Sequence, residues 1–198
     1  MSLQENIKHQ ITESIQTQQI VMAEKGEYIE VAAQKIVDAL LADKKILCCG
    51  NAGSISNAQY FVSLMINRFA RERPSLPAIS LVNDVQMISS IASMQSYDEV
   101  YAKQLRALGQ NNDILLIYYI DGDTLSLLKL INAAHDKNMP VILFSGENDM
   151  SLEGALREND LCVSIPSQVV HRINESQMLI THCVCDLVDS QLFGNQLT

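Results

Sequence analysis

Five short apolar runs punctuate this chain, and stretches of helical period separate them. The runs are "ILCC" (46–49), "AISLV" (78–82), "DILLIYYI" (113–120), "VILFS" (141–145) and "LCVSI" (161–165). A continuous apolar run with no polar alternation is the pattern of a strand buried on both faces. Between and after the runs, helical period is read over 54–69, 84–93, 98–108, 123–137, 151–157 and 171–193. Strands alternating with helices predict an α/β fold: a doubly wound, mostly parallel five-stranded sheet flanked by helices.

Two further helices are predicted ahead of the first strand, over 4–23 and 28–42. Ile7, Ile11, Ile15 and Ile20 form an apolar stripe on the first. Val31, Ile36, Leu40 and Leu41 do so on the second. Neither has a place in strand–helix–strand logic, so both are expected to pack on another subunit. No internal repeat or linker appears. A single domain over 1–198 is expected, divided into the N-terminal helices (1–43) and the α/β sandwich (44–198).

The formal net charge is −9, which sets the surface against a phosphate backbone and makes direct nucleic-acid binding an unsuitable role. One basic cluster, "INRFARERP" (66–74), reads as a solvated helix end because Glu72 dilutes its arginines. No apolar run reaches the ~18 residues of a membrane span. The start "MSLQENIKHQ" lacks the layout of a signal peptide. Five cysteines, Cys48, Cys49, Cys162, Cys183 and Cys185, lie in apolar segments without zinc or redox spacing. They read as buried free thiols of a cytoplasmic protein.

Ligands of open parallel sheets bind beyond the carboxyl ends of the strands. Three such ends are Gly50–Asn57, Asp121–Thr124 and Gly146–Asp149. The first, within "ILCCGNAGSISNAQYF", is a glycine turn feeding a helix, which offers backbone N–H groups and a positive dipole to an anion. Ser54 and Ser56 add hydroxyls.

The stretches "CGNAGSISNAQYF", "NRFARERPSLPAI", "DEVYAKQLRALG" and "HRINESQMLITHCVCDLVDSQLF" resemble the sugar isomerase (SIS) domain group. That group holds phosphoheptose isomerase and a non-enzymatic relative, the DnaA initiator-associating protein DiaA. The resemblance spans nearly the whole chain, and three of its stretches look closer to DiaA. It implies a homotetramer with sugar-phosphate pockets lined by more than one subunit.

Position by position, the resemblance also implies losses. The isomerase's glutamate base falls on Leu64, and a histidine one turn earlier falls on Tyr60, whose phenol ordinarily titrates near ~10. The second catalytic histidine falls on His182. A glutamine and a histidine on the same helix fall on Asn174 and Gln177. The set that holds zinc in some isomerases is thus reduced, and no cofactor or metal is expected. The phosphate loop reads "YIDGDT" (119–124), with Asp121 and Asp123 in place of a serine and an asparagine, and Thr124 retained. An Asn-Asp pair that meets substrate hydroxyls reads Ser93-Met94. His182 then reads as a core or interface histidine.

Three readings follow. The first is a DiaA-like pseudoenzyme, a homotetrameric scaffold binding the DnaA initiator and promoting its assembly at the replication origin, with Leu192 and Phe193 as the partner-binding anchor. The second is phosphoheptose isomerase, converting sedoheptulose 7-phosphate to D-glycero-D-manno-heptose 7-phosphate. The third is a sugar-phosphate sensor without turnover. The expected ligand pocket holds Asn51, Gly53, Ser54, Ser56, Asn57, Thr124, Asn174 and His182.

Overall fold

The computed structural model describes residues 2–147 and 150–194. Its first element is α1 (Leu3–Leu41), a single helix of 39 residues where the sequence predicts two. Ser2 opens it with a capping box: its hydroxyl accepts from the Glu5 N–H at 3.2 Å, and Glu5 accepts from the Ser2 N–H at 2.6 Å. Gly26, which marks the predicted break, lies inside the helix with open space beside it. A mid-helix glycine costs only ~1 kcal/mol against alanine, which packing overcomes.

The strands are β1 (Ile46–Gly50), β2 (Ala78–Ser80), β3 (Ile114–Tyr118), β4 (Val141–Gly146) and β5 (Leu161–Ile165). All neighbours pair in parallel, in the order β2-β1-β3-β4-β5. Only three residues of the predicted 78–82 run pair as strand. The helices are α2 (Ile55–Ile66), α3 (Val85–Met94), α4 (Val100–Leu108), α5 (Leu125–Asp136), the single turn α6 (Met150–Glu153) and α7 (Val170–Phe193).

Alternate strand residues feed two cores. Cys48, Leu116, Tyr118 and Phe144 face α1, α2 and α7. Leu47, Cys49, Leu115 and Leu143 face α3, α4 and α5. Central strands buried on both faces explain why their sequences are continuously apolar. The expectation that the N-terminal helices pack only on another subunit needs correction: α1 buries Val21, Ile29, Ala32, Ala33, Ile36 and Val37 in its own first layer, and Ser14 and Gln18 of its first half hydrogen-bond to Glu175 and Ser176 of α7. Ile7, Ile11 and Ile15 remain more than half exposed.

Two expectations from composition need correction. The cysteines are not all buried: Cys183 is exposed and Cys162 intermediate. The "INRFARERP" cluster is not a solvated helix end. Helix α2 stops at Ile66, and the Arg73 side chain is 1% exposed, its Nε 2.7 Å from Asp189 Oδ1 on α7. Arg73 also donates to the carbonyls of Leu64 and Met65, both at 2.7 Å, satisfying groups that the end of α2 leaves unpaired.

Candidate active site

The site is built at the carboxyl ends of β1, β3 and β4, between α2 and α7. Gly50 closes β1 because nothing larger fits: a Cβ there would come within 2.5 Å of the Ser54 carbonyl oxygen. The chain then makes a 3₁₀ turn over Ala52–Ser54, with Ala52 at φ 45, a left-handed conformation that glycine adopts more cheaply.

Ser54 does not serve an anion. Its hydroxyl is wholly buried, lies 2.7 Å from the Asn51 carbonyl and 2.8 Å from the Tyr118 carbonyl, and accepts from the Asn51 N–H. It stitches the turn to β3. Gly53 and Ser56 are exposed, and Ser56 turns its hydroxyl back toward the Gly53 carbonyl at 3.4 Å. Ser54 is thus spent on the turn, while Gly53 in the turn and Ser56 in the first turn of α2 stay exposed. Asn51 is buried too: its Nδ2 donates to the Asp123 carbonyl, and its Oδ1 has no partner among the described residues.

Asn57 begins a polar chain across the helix pair. Its Nδ2 donates to Asn174 Oδ1 at 2.8 Å and to Gln177 Oε1 at 2.9 Å. Gln177 Nε2 then donates to the carbonyls of Tyr119 and Phe144, at 2.7 and 3.0 Å. Gln177 was not among the expected pocket residues, yet it holds the carboxyl ends of β3 and β4 to α7. Its i, i+3 spacing from Asn174 was the available signal. Asn57 Oδ1, like Asn51 Oδ1, is buried and unpartnered among the described residues.

One turn along α2, Tyr60 Oη lies 3.2 Å from His182 Nε2. Phe69 stacks on the imidazole and Tyr60 meets it edge-on, each with ring centroids at 5.7 Å. His182 is half-buried, with its ring held on two sides and one nitrogen hydrogen-bonded. Of the core or interface positions expected for it, half-burial takes His182 out of the deep core. Leu64, one turn further, is buried in the core.

At the β3 end, Asp121 and Asp123 are exposed and Thr124 is half-buried. Asp123 turns its carboxylate onto the start of α5. Oδ1 accepts from the Leu125 N–H at 3.2 Å and Oδ2 from the Ser126 N–H at 3.3 Å. A cavity of about 370 Å³ opens beside this loop, lined by Tyr119, Asp121, Glu147, Gln168 and Ile173 among others. Gly146 and Glu147 of the third strand end are placed there; Asn148 and Asp149 lie outside the described residues. Ser93 and Met94, at the end of α3, are both exposed.

Zinc asks for three or four histidine, cysteine or carboxylate donors. His182 has a phenol and an aromatic ring around it, and Asn174 pairs with Asn57. Among the described residues no three such donors gather. This donor set does not fit the ion.

A family model, the SIS domain, matches residues 9–146. The chain belongs to the SIS domain family. Over 194 residues it is 45% identical to the phosphoheptose isomerase of Methylococcus capsulatus, covering 98% of this chain and 100% of the relative. The phosphoheptose isomerase of Alkalilimnicola ehrlichii is 43% identical, with 98% and 99% covered. Among solved structures, a phosphoheptose isomerase from Francisella tularensis superposes with a TM-score of 0.92 at 35% identity, covering 96% of this chain and 100% of that one. One from Neisseria gonorrhoeae gives 0.89 at 31%, with the same coverage.

These relatives correct the functional expectation for this SIS domain. Full-length likeness to phosphoheptose isomerases overturns the reading as a DnaA-binding scaffold, and the lean toward a chain without activity loses its support. The proposed anchor goes with that reading. Leu192 packs against the core, and the Arg71 guanidinium sits 5.8 Å over the Phe193 ring while donating to the Gly194 carbonyl. Among the described residues, no helix of this SIS domain is long and apolar enough to cross a membrane.

Proposed function

We propose that this SIS domain acts as an isomerase of the phosphoheptose isomerase type on a seven-carbon sugar. The reaction moves a proton between adjacent carbons. A C–H bond at C1 of the ketose breaks, an enediol forms, and a proton returns at C2 while the carbonyl passes to C1. That chemistry needs a group that takes and returns one proton beside the carbonyl end of the sugar.

The observation that carries the reading is the Tyr60–His182 pair. The imidazole of His182 can take and return a proton, and its hydrogen bond to the Tyr60 hydroxyl fixes the orientation of the ring. Leu64 cannot accept a proton, so the transfer rests on His182. Of the polar chain on the same two helices, half-buried Asn174 is the member that can offer a group to a sugar hydroxyl, with Asn57 holding it in place.

Binding without turnover is the second reading, and Leu64 at the position of the base favours it. Incubating the protein with sedoheptulose 7-phosphate, and separately with sedoheptulose, in heavy water distinguishes the two. Turnover places deuterium on the sugar; binding alone does not.

The site is further proposed to work in a homotetramer formed through the first half of α1 and residues 54–69. The exposed Ile7, Ile11 and Ile15 support this. So does an apolar groove of about 560 Å³ between α1 and α7, lined by Ile15, Val21, Met22, Leu179 and Cys183 among others.

A further inference from the structure

Gln177 is wholly buried where α7 crosses the ends of β3 and β4, and its surroundings dictate which way its amide points. Its Nε2 meets the carbonyl oxygens of Tyr119 and Phe144. A backbone carbonyl only accepts, so the amide turns its nitrogen to the strand ends and uses both N–H groups there. Its Oε1 is left for α2, where Asn57 Nδ2 donates to it at 2.9 Å. Asn57 is 1% exposed and gives its second N–H to Asn174 Oδ1, at 2.8 Å. A direction set by two strand carbonyls thus passes through two buried amides to a third.

The orphaned Asn57 Oδ1 follows from the same order. It is buried and unpartnered among the described residues, which is destabilising. Turning that amide over would set its oxygen against Gln177 Oε1 and Asn174 Oδ1, so the amide stays as it is. Asn174, half-buried, is the outlet of the chain. Its Oδ1 faces Asn57, and no described residue accepts from its Nδ2. The group it has free is a pair of N–H donors.

We infer that Gln177 is a positioning residue, which sets the amide of Asn174 so that it donates to an oxygen of the sugar and does not accept a sugar O–H. This role rests on the proposed sugar-handling site and not on turnover.

Titration calorimetry on the full chain with sedoheptulose 7-phosphate tests it through wild type, Asn174→Ala, Gln177→Met and the double variant. Asn174→Ala should weaken binding about tenfold, the worth of one hydrogen bond to a ligand. Gln177→Met keeps the length of the side chain and removes its hydrogen bonds. It should weaken binding about fivefold without touching the sugar, and the double variant should bind no more weakly than Asn174→Ala alone. Losses that multiply in the double variant overturn the inference, and with deuterium still placed on the sugar they leave the isomerase reading standing. NMR of the side-chain amides decides the direction in the wild type, whether or not Gln177→Met folds. The amide hydrogens of Asn57 and Gln177 should exchange slowly with solvent throughout. Those of Asn174 should exchange fast in the free protein and slowly with the sugar bound. An Asn174 amide already protected without sugar, or unchanged by it, overturns the inference, as does a protein that binds no sedoheptulose 7-phosphate. The predicted pattern without deuterium on the sugar sustains the inference and sinks only the isomerase reading.

Discussion

Tyr60 Oη and His182 Nε2 stand 3.2 Å apart, and this hydrogen bond joins α2 to α7 across the candidate site, one turn along from the Asn57 bonds to Asn174 and Gln177. If His182 moves the proton, His182→Ala should lower turnover by about 10²-fold or more, the usual worth of a general acid–base. Tyr60→Phe keeps the ring contact and removes the hydroxyl. It should cost less, about tenfold in kcat with KM little changed, because the hydroxyl only orients the imidazole. Steady-state kinetics of both variants, with kcat and KM separated, would check this. A Tyr60→Phe variant with wild-type kcat would assign the hydroxyl a packing role.

The Arg73–Asp189 pair makes a stability prediction. Both side chains are almost wholly buried, at 1% and 6% exposure, and Arg73 also serves two carbonyls at the end of α2. Removing one partner leaves an uncompensated buried charge, so Arg73→Ala should lose about 3–5 kcal/mol in denaturant unfolding. The double change Arg73→Met with Asp189→Leu should lose less than the single one. Equal losses would show that the arginine acts through packing alone.

Ala52 offers a gain. It is exposed and held at φ 45, which costs alanine about 1 kcal/mol that glycine does not pay. Ala52→Gly should raise the unfolding free energy by about that amount, read as a higher midpoint in denaturant.

The cysteines report on assembly. Burial pushes the Cys48 and Cys49 thiols well above their ordinary range and those of Cys162 and Cys185 up to about 12. Deprotonation is therefore suppressed at neutral pH, and these four should react slowly with a thiol reagent. Cys183 is exposed in the single chain but lines the groove between α1 and α7. In the proposed tetramer it is covered. Ile11→Asp with Ile15→Asp should lower the light-scattering mass to that of one chain and make one thiol fast, and adding Cys183→Ser should remove that fast phase. A single-chain mass for the wild type at micromolar concentration would contradict the assembly.

How far the sequence discloses this molecule depends on whether a signal is local. The strands show because burial on both faces writes an unbroken apolar run, as in "DILLIYYI". The single α1 helix does not show, because Gly26 looks like a stop and only its surroundings reveal that nothing crowds it. Arg73 is misread for a similar reason: its carboxylate partner lies 116 residues away, and its neighbours are other charges. Within the site, the resemblance names Asn51, Asn57, Asn174 and His182, and the fold supplies their hydrogen-bond partners. It does not reveal that Ser54 spends its hydroxyl on the backbone, nor that Asp123 caps α5, since both depend on where loops meet.

The most direct test of the sugar-isomerase reading is solvent deuterium incorporation, followed by NMR. Wild-type protein incubated in heavy water with sedoheptulose and with sedoheptulose 7-phosphate should place deuterium on carbon 1 or carbon 2 of at least one of them, and His182→Ala should abolish it. Sugars that stay fully protonated with the wild type, under conditions where binding is saturated, would contradict the account.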